Sequence, residues 1–165
     1  MYMSHSKKIL ARVLFWIYLF MLVWIILFKM SFSISQIPKI HFVNFIPFHY
    51  DEEVVFHWWE VMLNIVIFIP CGIYLKMFNF DHKNTVICGF CFSLLLETLQ
   101  LVLKIGVFDV TDLITNTLGT ILGMLGYVSI LKLFRNKKKL DFILTIVALA
   151  VTITMLLLVV AYVLG

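Results

Sequence analysis

The stretch Asn84–Leu103, NTVICGFCFSLLLETLQLVL, runs for twenty residues with one charged side chain, Glu97. Twenty helical residues rise about 30 Å, the thickness of a bilayer's hydrocarbon core. A continuous apolar run of that length reads as a membrane-spanning helix, because a barrel strand would be shorter and would alternate polar with apolar residues. Four more runs have similar length and character: Ile9–Met30, Glu60–Phe78, Asp112–Phe134 and Leu140–Leu164. The expected fold is all-α, a polytopic membrane helical bundle of about five transmembrane helices, forming one domain over residues 1–165.

Composition points the same way. Of the 165 residues 63% are hydrophobic and 13% charged, and the mean hydropathy is +1.07. A water-soluble domain of this size could not hide so much apolar surface, so lipid is the expected solvent and the bilayer the first partner. The net charge of +4 does not indicate nucleic acid, because the basic residues cluster at the ends of the apolar runs rather than along one polar face. Lys7, Lys8, Arg12, Lys76, Lys83, Lys132, Arg135, Lys137, Lys138 and Lys139, ten of the thirteen, fall on the side of the N-terminus. By the positive-inside rule this predicts a cytoplasmic N-terminus and an outer C-terminus. The first apolar run follows a basic start as a signal peptide would. It continues to Met30 without a convincing small-x-small cleavage site, which favours a retained signal anchor.

Between the first two runs lies a long outer connection, Ser31 to Trp59, rich in aromatics such as Phe45, Phe48, Tyr50, Trp58 and Trp59. It suits the membrane interface, although Asn44-Phe45-Ile46-Pro47-Phe48 could also dip in as a short re-entrant segment. The loop also offers His49, Asp51, Glu52, Glu53, His57 and Glu60, but without a zinc spacing, so no metal site is expected. Cys71, Cys88 and Cys91 lie in or beside apolar segments and read as packing residues, the single Cys88-x-x-Cys91 offering too few ligands for structural zinc.

Polar residues inside apolar runs are the informative ones, since a carboxylate at the bilayer centre costs at least about 3 kcal/mol. On helix three Gly89, Ser93, Glu97, Gln100 and Lys104 recur at steps of three or four and share one face. On helix four Asp112, Asn116, Gly119 and Gly123 do the same, and the Gly119-x-x-x-Gly123 spacing permits close approach to a neighbour, most simply helix three. Glu97 should lie about 9 Å below the outer end of its helix and Asn116 about 6 Å, with Asn64 of helix two at similar depth. Pro70 should kink helix two beside Gly72. Buried amides and acids can serve purely as glue between helices, and for Asn64 and Gln100 that explanation weighs as much as a ligand-binding one. Ionisable groups are costly glue, so Glu97 and Asp112 point more strongly to function.

These segments together resemble the VanZ-like family of bacterial membrane proteins. The resemblance rests on Asn44-Phe45-Ile46-Pro47-Phe48, Asn64-Ile65-Val66-Ile67-Phe68-Ile69-Pro70-Cys71-Gly72, Ser93-Leu94-Leu95-Leu96-Glu97-Thr98-Leu99-Gln100 and Asp109-Val110-Thr111-Asp112-Leu113-Ile114-Thr115-Asn116-Thr117-Leu118-Gly119, and covers most of residues 44–123. The family usually carries an arginine between the glutamine and the first aspartate. Here Lys104 is the nearby cation, and it lacks the planar fork of arginine. The resemblance implies a multi-pass plasma-membrane protein with a part in glycopeptide resistance of the teicoplanin type or in cell-envelope function. Its expected partner is a lipoglycopeptide or a lipid-linked wall component, with no cofactor. The expected binding residues are Asn64, Glu97, Gln100, Asp109, Asp112 and Asn116, with Asn44, Pro47 and Lys104 secondary, and Pro70, Gly72, Gly119 and Gly123 packing the helices. An integral-membrane enzyme acting on a lipid-linked substrate, with Glu97 or Asp112 as general acid or base, is the alternative. Ion translocation through Glu97 is less favoured, because the inner halves of the helices lack a continuing polar path.

Overall fold

The computed structural model of the chain describes residues 5–28, 43–48 and 54–164. Within them run α1 (His5–Phe28), β1 (Val43–Asn44), α2 (Val54–Met77), α3 (His82–Leu103), β2 (Phe108–Asp109), α4 (Val110–Phe134) and α5 (Lys137–Leu164). All five helices are long and apolar enough to cross a membrane, as the apolar runs predict. Residues 29–42 and 49–53, which include the candidate cleavage site and most of the acidic and histidine residues of the outer connection, lie outside the described residues.

The helices begin earlier than hydropathy alone places them, because capping groups set their ends. Asp81 is the N-cap of α3, its side chain accepting from the Asn84 N–H at 2.8 Å, so the helix starts at His82 rather than Asn84. Asn136 does the same for α5 through the Lys139 N–H at 3.1 Å, which moves its start to Lys137. Asp109 caps α4 through the Thr111 N–H at 2.7 Å, which moves that start to Val110. Helix α2 likewise takes up Trp58 and Trp59, which apolar periodicity leaves in the loop. It continues through Pro70, whose missing N–H deprives the Val66 carbonyl of its usual i+4 donor.

The chain divides into two compact units, Leu22–Ser129 and Met1–Met21 with Ile130–Gly165. In the first, α2 and α3 are joined by a tight turn in which Asn79 adopts a left-handed φ of 69°. The Asn79 N–H reaches Lys76 O and the Phe80 N–H reaches Leu75 O, so the last carbonyls of α2 are satisfied before Asp81 opens α3. At the other end β1 and β2 form a two-residue parallel ladder, pairing Val43 with Phe108 and Asn44 with Asp109. Among the buried side chains of this unit, Phe68 of α2 and Leu96 of α3 are wholly enclosed.

Glycines set the spacing of α2 and α4. A Cβ at Gly119 would run into the Ile65 carbonyl, one at Gly123 into the Ile69 carbonyl, and one at Gly72 into the Thr120 carbonyl. The Gly119-x-x-x-Gly123 face therefore meets α2, whereas sequence spacing alone suggested α3 as the simplest neighbour. Helix α3 instead presents Gly89 to the Thr120 side chain, one step around α4. Helix α4 is thus gripped from two sides, and helical spacing fixes only that a small-residue face exists, not which neighbour takes it.

In the second unit Ala11, Leu14, Leu140 and Thr145 are buried. Asp141 is nearly enclosed yet satisfied, its carboxylate 3.3 Å from the Lys137 ammonium one turn earlier. Most of α5 is exposed, with Val147, Val151, Leu157 and Leu158 displayed, as a helix facing lipid requires.

Alanine at Gly119 or Gly123 should destabilise the folded protein in detergent by about 1–3 kcal/mol, because a methyl group would have to push two backbones apart. Gly126, whose Cβ would meet nothing within 4 Å, should accept alanine without loss. Thermal denaturation of the three variants in one detergent tests the contrast, and equal midpoints would remove the close-packing account.

Candidate functional site

Polar side chains gather where α4 begins and α3 ends, with Asn64 from the first half of α2, all within the unit Leu22–Ser129. Asp109 is at the centre. As the N-cap of α4 it accepts from the Thr111 N–H through Oδ1, and through Oδ2 it accepts from Asn44 Nδ2 at 3.3 Å. Its own N–H donates to Glu97 Oε2 at 3.0 Å, joining α3 to the start of α4. A helix N-terminus carries unsatisfied N–H groups and a partial positive charge, which is why two carboxyl groups can sit there at tolerable cost. Glu97 itself has no exposed surface.

One turn along α4, Asp112 Oδ1 accepts from Asn64 Nδ2 at 2.7 Å, which ties in α2. One turn further, Asn116 donates through Nδ2 to Ser93 Oγ at 3.0 Å, a wholly buried bond to α3. Gln100, on the same face of α3 as Glu97, donates through Nε2 to the carbonyl oxygen of Ile26 at 3.0 Å. That carbonyl belongs to the last described turn of α1. Gly106 packs against the Gln100 amide, where a Cβ would come within 3.1 Å of Nε2.

The loop segment 43–48 is fastened over this layer. Asn44 Oδ1 accepts from the Ile46 N–H at 3.1 Å, and the Phe48 N–H donates to Thr111 Oγ1 at 3.1 Å. The Phe45 and Phe108 rings lie with centroids 6.4 Å apart. Pro47 occupies the exposed turn and adds no polar contact to the layer.

The structure thus joins Asn44 and Glu97 through Asp109, Asn64 to Asp112, and Asn116 to Ser93, in successive turns of α4, and places Gln100 against the Ile26 carbonyl of α1. It does not bring in Lys104. That residue ends α3 in a left-handed conformation, φ 57°, with its N–H on the Leu101 carbonyl and its side chain exposed. Pro70, Gly72, Gly119 and Gly123 lie further along α2 and α4, away from the loop end. Sequence reasoning missed Thr111 and the Asn44–Asp109 contact. The first had a readable signal, since the second residue after a capping aspartate donates its N–H to the cap. The second had none, because 65 residues separate the partners.

Five helices long and apolar enough to cross a membrane define a multi-pass integral membrane protein. The chain matches the VanZ/LLP1 family over residues 15–135 and belongs to that family. It is 34% identical over 155 residues to Protein VanZ of Enterococcus faecium, covering 90% of this chain and 92% of that one. No solved structure matches it.

The Asn64–Asp112 bond should show as a coupling of about 1 kcal/mol in a double-mutant cycle of Asn64→Ala and Asp112→Ala, read from unfolding midpoints in detergent. Additive effects would mean that the two side chains do not act on each other. Asp109→Ala should cost about 1 kcal/mol from the lost cap alone, and more through Asn44.

Proposed function

We propose that this VanZ-like protein contributes to glycopeptide resistance of the teicoplanin type, or to a related envelope function, by binding an amphiphile at the polar layer around Glu97 and Asp112. The observation that carries this reading is the joining of α2, α3 and α4 by carboxyl-centred bonds at one end of their spans: Asp109 N to Glu97 and Asn64 to Asp112. Three ionisable side chains within about one helical turn exceed what glue between helices needs, since neutral amides join helices at lower cost. The excess of basic residues at the opposite helix ends supports placing this layer on the outer side, N-terminus in and C-terminus out. Teicoplanin carries a fatty-acyl chain, and an amphiphile of that kind could keep its tail in lipid while its head meets the layer.

A second reading, an enzyme acting on a lipid-linked wall precursor, draws on the same three carboxyl groups, of which Glu97 or Asp112 would serve as general acid or base. Product formation by purified protein is the measurement specific to it.

In a glycopeptide-sensitive host, expression of the wild type should raise teicoplanin tolerance more than vancomycin tolerance. Glu97→Ala and Asp112→Ala should abolish the gain at matched membrane levels. Protection retained by both variants would remove the polar layer from the mechanism, and no protection by the wild type would remove the resistance reading.

A further inference from the structure

Charge in the unit formed by Met1–Met21 and Ile130–Gly165 is almost all of one sign. Its sequence holds three lysines and arginines in the first stretch and five in the second, against one acid, Asp141. That carboxylate is taken by Lys137, at 3.3 Å. Arg12, Lys132, Arg135, Lys138 and Lys139 are all exposed, and the sequence of this unit contains no further acidic side chain to answer them.

The fold gathers these cations at one level. With each of the five helices crossing once, the start of α1, the end of α4 and the start of α5 come to the same side of the membrane. Only Arg135 and Asn136 separate α4 from α5. Arg135 turns the chain in a left-handed conformation, φ 52°, its N–H closing α4 on the Leu131 carbonyl at 2.9 Å, and Asn136 then caps α5. The first turn of α5 carries Lys137, Lys138 and Lys139 and no acid, although a helix N-terminus bears partial positive charge and favours anions. Helices α3 and α4 follow that preference with Asp81 and Asp109 at their caps, and α5 reverses it. Ammonium groups crowded at a positive pole are unfavourable for the chain alone, and an anion from outside relieves them.

We infer that the turn from Lys132 to Lys139 is a binding surface for the phosphate headgroups of acidic phospholipids, with Arg12 of α1 on the same side. The neighbouring side chains point to a lipid rather than a soluble anion. Leu133, Phe134 and Phe142 are exposed and interleaved with the cations, Leu133 at 81%. An acyl chain covers such apolar groups while the headgroup above it meets the charges. Lys132, Lys138 and Lys139 supply point charges, and Arg135 supplies a planar fork for two phosphate oxygens. The positive-inside preference accounts for the side on which the cations stand but leaves their charge unanswered. This surface belongs to the unit that does not hold the polar layer, and it stands independently of the function proposed above.

The full chain, purified in dodecyl maltoside, is offered equal amounts of phosphatidylglycerol and phosphatidylcholine with the same acyl chains. The lipid retained through gel filtration is counted by mass spectrometry. Phosphatidylglycerol should be retained at least about fivefold over phosphatidylcholine, and combining Lys132→Gln, Arg135→Gln, Lys138→Gln and Lys139→Gln should bring the ratio close to parity. Lys138→Arg with Lys139→Arg should keep the preference, because the charge persists. Freed of lipid, the glutamine variant should melt no lower than the wild type, since it removes repulsion at the α5 N-terminus. A lower midpoint would make the cations structural and overturn the inference. Inorganic phosphate, compared with chloride at matched ionic strength, should leave the lipid ratio unchanged. Displacement of phosphatidylglycerol by phosphate would assign the surface to a soluble anion and overturn the lipid assignment. Parity in the wild type, or a preference that survives all four glutamine substitutions, likewise overturns it.

Discussion

Asp109 is where the chain commits its ends to one another. Its carboxylate closes the N-terminus of α4 and holds Asn44, and its N–H is spent on Glu97. Three segments that are distant in sequence meet at one residue, and each contact answers a need that lipid cannot. In hydrocarbon there is no water to satisfy a helix terminus, a loop amide or a carboxyl group, so those groups must find one another. The short parallel ladder between Val43–Asn44 and Phe108–Asp109 is the backbone expression of the same constraint.

The close approach of α2 and α4 lets short side chains complete this arrangement. Asn64 carries one carbon between its backbone and its amide, so it can reach Asp112 at 2.7 Å only if the two helix axes lie near each other. Gly72, Gly119 and Gly123 remove the Cβ atoms that would hold those axes apart. Packing and polar chemistry are thus two parts of one design. The glycines grip further along the spans, and the amide and carboxyl groups close the end.

Hydropathy made the five spans legible, because a run of about 20 apolar residues has few alternative uses. Helical spacing likewise exposed the faces that carry Glu97 and Asn116, since residues three or four apart must share a side. Other features were written in the sequence in a different code. The starts of α3, α4 and α5 depend on Asp81, Asp109 and Asn136, which hydropathy scores only as polar. The partner of the Gly119–Gly123 face depends on how two helices cross, a property of the pair rather than of either sequence. The role of Gln100 depends on a carbonyl of α1, which offers no side-chain signal at Ile26.

Gln100 also shows why residue type alone is a poor guide to role. Sequence periodicity groups it with Glu97 as one polar stripe, yet its two amide ends face different problems. The nitrogen donates to the Ile26 carbonyl of α1, while the oxygen stays buried and accepts nothing among the described residues. Asn116 is divided in the same way, its nitrogen on Ser93 and its oxygen orphaned. At both positions one amide end is committed to joining helices, a role that residue type alone does not reveal.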